Sequence, residues 1–309
     1  MTRRVPTLPA AWTTARQPSP RWRRDPAWAA FFIAPSLIGF AAFVLFPVLF
    51  SLGLSTVEWN LLTPPVPVGL QNYVLILHDP FFWRVMGNTV YYTAGTVLPG
   101  VALSLVLALA LNRRLPGQVA LRTVYFMPVI SSTVAVAMVW RWIYNTDFGL
   151  LNTALRWLGL APIGWLTTTT WAMPAVILMS IWKNLGYSMV IFLAGLQAIP
   201  RPYYDAAAVD GASGWQQFWR ITLPLLSPAT FFVTVMSVIT SFQVFGQVYM
   251  MTGGGPAYAT STIVFHIYQQ AFEAFRMGYS SAMAWALFVV IFVFTLLQMR
   301  YQHTWVHYE

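Results

Sequence analysis

Six stretches of this chain, at 27–54, 88–111, 123–143, 171–195, 225–251 and 280–299, are apolar and nearly free of charge. Each is about as long as the roughly twenty helical residues that cross a hydrocarbon layer ~30 Å thick. A β-barrel is excluded, because barrel strands alternate polar and apolar residues over about ten positions, and these runs are apolar on every face. Nor does water suit them: a soluble domain has roughly a quarter of its residues charged, whereas here charged residues are 8% and hydrophobic ones 58%. The expectation is an all-α polytopic transmembrane helical bundle of six spans. Prolines at 35, 47, 99, 128 and 174 fall inside the runs, which neighbouring helices tolerate by satisfying the backbone groups that proline frees.

A net charge of +9 does not point to nucleic acid, because the basic residues flank apolar runs and form no single water-facing patch. Instead they orient the chain, since Lys and Arg in short loops favour the cytoplasmic side. With the N-terminus inside, Arg3, Arg4, Arg16, Arg21, Arg23, Arg24, Arg113, Arg114, Arg122, Arg201, Arg220 and Arg300 are inner and Arg84, Arg141, Arg156 and Arg276 outer, twelve against four. Both termini are therefore expected in the cytoplasm. Residues 1–26 read as a disordered basic tail and 27–309 as the membrane domain. The Arg3-Arg4 pair does not open a cleaved export signal, because the following run is too long and ends without a small-residue cleavage site. Outer segments 55–87 and 144–170 carry Trp59, Tyr73, Trp83, Trp157 and Trp165, suited either to interfacial anchoring or to docking an external protein. Cysteine is absent, which removes disulfides and Cys-based zinc sites.

The segment from Ile199 to Pro224 is different. Arg201, Asp205, Asp210 and Arg220 would each cost ~2.5–3.5 kcal/mol at the bilayer centre, against ~0.3–0.6 recovered per apolar residue. The charges win, so 196–224 is expected as a cytoplasmic loop. Pro202 near the first position and Asp205 in the first turn would begin a short helix, which Gly211 would end in the left-handed conformation. Ser213 with Gln216 matches a capping box that begins a second helix. The result is a compact knob whose Ala206, Ala207 and Ala208 let another protein's groove approach the backbone; on pattern alone, an ordinary amphipathic loop helix is the other reading.

That segment resembles the EAA signature of ABC importer permeases, in which Glu-Ala-Ala is followed by Gly and then Ile-x-Leu-Pro. The match is Asp205-Ala206-Ala207, Gly211 and Ile221-Thr222-Leu223-Pro224. Asp210-Gly211-Ala212-Ser213 is similar to the carbohydrate branch, the MalF-like or UgpA-like group, as are Gly69 to Tyr73, Asn88-Thr89, Thr252 to Pro256, Ala259-Thr260 and Tyr268 to Phe272. Two positions depart from the pattern: Asp205 replaces the usual Glu, shortening its reach by a methylene, and Gly246 stands where relatives carry Asp. The resemblance implies an ABC type I importer (MetI-like) permease fold in the bacterial inner membrane, moving a sugar or sugar-like solute inward by alternating access. It implies separate ABC ATPase subunits, which hold ATP and Mg and dock on Asp205, Ala206, Ala207, Asp210 and Gly211. It also implies a second, different permease subunit making a heterodimer, and an extracytoplasmic solute-binding protein. This chain would then be no enzyme and hold no cofactor or metal of its own. It lacks the Gly-x-x-x-x-Gly-Lys-Ser/Thr loop, and Gly253-Gly254-Gly255 has no following Lys.

For the solute path, residues with the right chemistry are Lys183, Asn184, Tyr187, Gln243, Gln247 and Tyr249, with Trp182 beside them. Packing or anchoring residues look the same in a sequence. Lys183 is the only charge deep in a run, and an intramembrane ion either lines a functional pathway or is held by backbone carbonyls or the interface. The competing class, an ion-driven secondary transporter or channel, calls for acidic residues or histidines within spans. All eight acidic residues and four histidines fall in tails, loops or run edges.

Overall fold

The structure, a computed structural model, describes residues 25–113 and 116–305. The expected basic tail lies outside the described residues except for Asp25 and Pro26, as does Arg114. Lipid offers no partner to a bare N–H or C=O, so each apolar run becomes helical, and the chain falls into two units, 1–51 and 52–309.

Beginning in the first unit, α1 (Asp25–Phe40) passes through a π-helical turn (Ala41–Leu45) into α2 (Phe46–Leu54), whose last three residues belong to the second unit. From Trp28 to Leu54 the mean hydropathy is 2.4, and Phe31, Phe32 and Phe43 are exposed. Among the described residues it is the first of four continuous helices long and apolar enough to span a membrane; the others are α4 (Pro80–Leu111), α8 (Thr169–Ala198) and α15 (Met277–Trp305).

In the second unit, a two-stranded hairpin of β1 (Val57–Glu58) and β2 (Val66–Pro67) precedes α3 (Gln71–His78). The second span starts at Pro80, earlier than the expected 88. Asp79 caps it by accepting from the Phe81 N–H at 2.9 Å, and Tyr279 Oη donates to the other carboxylate oxygen at 2.8 Å.

Two expected spans are not single rods. The 123–143 run is α5 (Gln118–Ile130) and α6 (Thr133–Ile143), bent by 100°. Pro128 supplies no N–H to the last turn of α5, and Ser131 is extended. The 225–251 run is broken at Leu226, between Pro224 and Pro228, with a bend of 63°. Its membrane part, α12 (Ser227–Phe242), ends before a separate short helix, α13 (Gly246–Met251). Among the described residues, the six expected spans are thus four continuous helices, the bent pair α5–α6, and α12, which follows the 63° bend.

Helices α4 and α8 form the centre. One core joins Ile76, Val85, Phe242, Ile263 and Met283; a second Tyr92, Tyr144, Val176, Met179 and Val248; a third Ala108, Phe192, Leu196, Leu226 and Val233. Gly186 lets α8 come up against α5, since a Cβ there would overlap the Tyr125 carbonyl. Helix α7 (Leu150–Trp157) lies in the expected outer segment 144–170, where Trp157 is exposed and Trp165 donates to Asn152 Oδ1 at 3.0 Å.

Candidate functional site

The polar segment folds as a helix, a turn and an arm. Helix α9 (Arg201–Val209) has Pro202 in its first turn, but Asp205 falls in the second turn and not the first, because the helix begins at Arg201. Asp205 is therefore not placed by the helix dipole, which acts within the first turn. The C-terminus is closed by a Schellman pair, Gly211 N–H to Ala208 C=O at 3.1 Å and Ala212 N–H to Ala207 C=O at 2.9 Å, with Gly211 at φ +76°. The capping box forms: Ser213 N–H donates to Gln216 Oε1 at 2.8 Å, and Gln216 N–H to Ser213 Oγ at 3.4 Å.

From there α10 (Gly214–Gln217), a π-helical turn (Phe218–Thr222) and α11 (Leu223–Leu225) form one arm. The Tyr204 and Thr222 hydroxyls meet at 2.9 Å, and Gln217 Nε2 donates to Ala212 C=O at 3.2 Å, fastening arm to helix. Asp205, Ala206, Asp210 and Gly211 are exposed, whereas Ala207 is half-buried. Ala207, Asp210, Gly211, Gln216 and Arg220 line a groove of about 300 Å³.

A second cavity, of about 250 Å³, lies between α4, α8 and α12. Tyr92, Thr96 and Ser104 face it from α4; Ser180, Asn184, Tyr187 and Ser188 from α8; Ser237, Thr240 and Ser241 from α12; and Gln247 from α13. Thr96 and Ser241 hydroxyls are 3.1 Å apart, and Asn184 Nδ2 donates to Ser180 C=O at 3.0 Å. Hydroxyls and amides between apolar walls suit a ligand with many hydroxyls of its own.

Of the six path candidates, the cavity brings together Asn184, Tyr187 and Gln247. Gln243 is exposed at the C-cap of α12, and Tyr249 joins an aromatic cluster with Phe245 (5.3 Å) and Tyr268 (5.6 Å). Trp182 packs edge-on against Trp140 at 5.5 Å. Lys183 does not face the cavity. Its ammonium, on a side chain 6% exposed, donates to the carbonyls of Pro128 (3.3 Å), Val129 (3.5 Å) and Ser131 (3.2 Å), where α5 ends and the 100° bend begins. Those carbonyls have no partner within their own helix, so the lysine serves as a C-terminal cap delivered from a neighbouring span.

Sequence reasoning missed the cleft's hydroxyls. A signal existed: Tyr92, Thr96 and Ser104, then Ser180, Asn184, Tyr187 and Ser188, then Ser237, Thr240 and Ser241 each make one helical stripe of hydroxyl and amide residues in an apolar run.

Away from the knob, His266 is 4% exposed in α14 (Ile263–Tyr268), where a loop histidine was expected. Neither ring nitrogen has a hydrogen-bond partner, and the ring stands edge-on to Phe81 at 4.8 Å. Burial lowers its pKa, which Asp79 opposes and Arg276 reinforces. Arg276 stacks over the Tyr279 ring at 4.4 Å. Among the described residues no group of three or more His, Cys, Asp or Glu is placed to hold a metal ion.

Comparison with known proteins fits this geometry. Residues 100–304 match the family described as "Binding-protein-dependent transport system inner membrane component". The "Probable ABC transporter permease protein YesP" of Bacillus subtilis (strain 168) is 38% identical over 93% of this chain and 94% of its own length. The "Sulfoquinovosyl glycerol transport system permease protein SmoG" of Agrobacterium fabrum is 34% identical over 91% and 94%. Among solved structures, a chain of a bacterial ABC transporter involved in the import of the acidic polysaccharide alginate superposes with a TM-score of 0.80 at 26% identity, covering 91% of this chain and 96% of that one. Another, of the alginate transporter in complex with alginate pentasaccharide-bound periplasmic protein, has a TM-score of 0.80 at 25% identity, covering 91% and 95%.

Proposed function

This chain belongs to the binding-protein-dependent inner membrane component family of ABC importers, and from that membership we propose that it passes a sugar or sugar-like solute through the α4–α8–α12 cleft by alternating access. The observation that carries the reading is continuity. Helix α8 runs from Asn184 and Tyr187 in the cleft wall to Ala198, three residues before α9, and the arm after the knob turns at Leu226 into α12, which bears Ser237 and Ser241. A push on the knob therefore acts on two walls of the cleft at once.

In this reading ATPase subunits grip Asp205, Ala206, Ala207, Asp210 and Gly211 from the cytoplasm, and ATP and Mg stay on those subunits. The nucleotide works only through its different affinity for the inward- and outward-facing states. A second, different permease subunit completes the path, and an extracytoplasmic binding protein delivers the solute at the outer end. Both termini face the cytoplasm, and this subunit itself hydrolyses nothing. Solutes named for relatives, sulfoquinovosyl glycerol and alginate, support the sugar class, and the cleft's hydroxyl and amide lining agrees with it.

The test is uptake of labelled oligosaccharides by membrane vesicles that contain the assembled transporter, with Ala207→Trp as the probe. Indole bulk in the knob groove is expected to abolish ATPase association and uptake together. Full uptake with a normally associated ATPase would overturn the assignment of the knob.

A further inference from the structure

One surface of the arm has no role in gripping or in lining the cleft. Trp215 and Trp219 are 70% and 50% exposed, and with Phe218 they form an aromatic cluster with ring centroids 5.4–6.0 Å apart. Thr222 and Gln217 turn the other way, onto α9 and its turn. Exposed indoles in contact with one another need an occupant, and the bend supplies it. The arm meets α12 at 63°, so with α12 near the bilayer normal the arm lies closer to the membrane plane than to the normal. Eight residues of helix separate Trp219 from Ser227, about 12 Å of axis. At that inclination they carry Trp219 only about 5 Å beyond the start of the span, and Trp215 about 8 Å. The interfacial layer on each side of the hydrocarbon is about 5–8 Å deep.

We propose that the Trp215–Phe218–Trp219 face is seated in the headgroup layer of the cytoplasmic leaflet, while Arg220 stays with the knob groove. Trp is the side chain most at home at that depth. Lipid then acts as the fulcrum of a lever: the knob moves, the aromatic face holds the arm in the interface, and the displacement becomes rotation of α12 about Leu226. The inference rests on the cytoplasmic placement of the knob proposed above.

Because the chain contains no cysteine, single labels are unambiguous. Full-length Trp215→Cys, Trp219→Cys, Gln216→Cys and Asp205→Cys variants, each carrying a nitroxide, would be placed in anionic-lipid nanodiscs. Their collision rates with oxygen and with a water-soluble nickel chelate would then be measured. The oxygen-to-nickel ratio is expected to be about threefold or more higher at 215 and 219 than at 216 and 205. Equal ratios with all four sites in water overturn the lipid contact alone; a high ratio at 205 overturns the cytoplasmic knob as well. Loss of access to both reagents at 215 and 219 on adding the ATPase subunits would assign the face to the ATPase and overturn the proposal. As a functional arm, Trp215→Asp with Trp219→Asp is expected to lower uptake about tenfold while the ATPase still co-purifies, and the paired Phe variants to retain it. Full uptake by the Asp pair would refute the lever.

Discussion

Replacing Lys183 with Met should release the elbow between α5 and α6. The ammonium holds three carbonyls at 3.2–3.5 Å, and hydrogen bonds between membrane helices contribute about 0.6–1.7 kcal/mol each. Three of them stabilise the bend by roughly 2–5 kcal/mol. The cation at the negative end of α5 adds about 0.3–1 kcal/mol. Against this stands the cost of burying an ammonium, several kcal/mol, which Met removes while its thioether keeps the contacts of the aliphatic stem. Taken at mid-range, the gains exceed that cost by a small margin, so a net loss of about 1 kcal/mol is expected. It would be read by equilibrium denaturation in mixed micelles, and by hydrogen exchange at Val136, whose N–H bonds Ser132 C=O in the first turn of α6. Lys183→Arg should restore most of the stability. Solute affinity should change less than stability, because the side chain faces away from the cleft. If Lys183→Met is as stable as the parent, exchanges no faster at Val136 and yet loses solute binding, the capping argument is wrong and Lys183 belongs to the path.

Gly211→Val forces a β-branched residue to φ +76°, which costs about 1–2 kcal/mol; the knob should fray and ATPase co-purification weaken, and unchanged co-purification in a folded variant would contradict this. Asn184→Leu with Gln247→Leu removes two amide partners from the cleft, each contributing about 1 kcal/mol. Uptake should fall about ten- to thirtyfold with the ATPase still bound, and unaltered uptake would move the path elsewhere. For His266, burial depresses the folded pKa, while the unfolded chain takes up its proton near ~6.5. The unfolded state thus binds more protons just below that pH, so this contribution to stability is fully present above ~6.5 and is lost as pH falls through the folded value. In His266→Phe the acid-side slope of stability should flatten; an identical slope would show that His266 is not its source.

The spans were legible because the bilayer prescribes both their length and their lack of charge. Their breaks were not. Ser131 and Ser132 look like ordinary polar residues within a run, and the group that stabilises their bend, Lys183, arrives from another span. Likewise the start of α4 depends on Asp79, whose second oxygen is held by Tyr279, two hundred residues away. The knob was legible where its signals are local: Gly211 and the Ser213–Gln216 box each act within four residues. Asp205 was misplaced by a turn because a proline marks a helix start only to within a residue or two. For the cleft, amide and ring residues were separated only by where the packing of the helices leaves them. Asn184 points into it and Gln243 into the surroundings, a difference set by helix packing and not by residue type.

The knob is joined to the cleft by two connections that are not equivalent. On one side Ile199, 8% exposed, is held in the core with Phe192, Leu196 and Leu226, and with the extended Pro200 it forms the whole link to α9, so α8 and the helix bearing Asp205 are separated by only two residues. On the other, Leu226 is 1% exposed at the 63° bend, and Gly195 of α8 lies so near that a Cβ there would stand 2.8 Å from Leu226 Cδ1. Leu226 is thus a pivot pressed against α8, and the paired prolines 224 and 228 leave the backbone around it short of helical hydrogen bonds. In the mechanism proposed above, the α8 connection would carry the position of the knob and the bend at Leu226 would turn it into a change of angle, shifting Ser237 and Ser241 relative to Asn184.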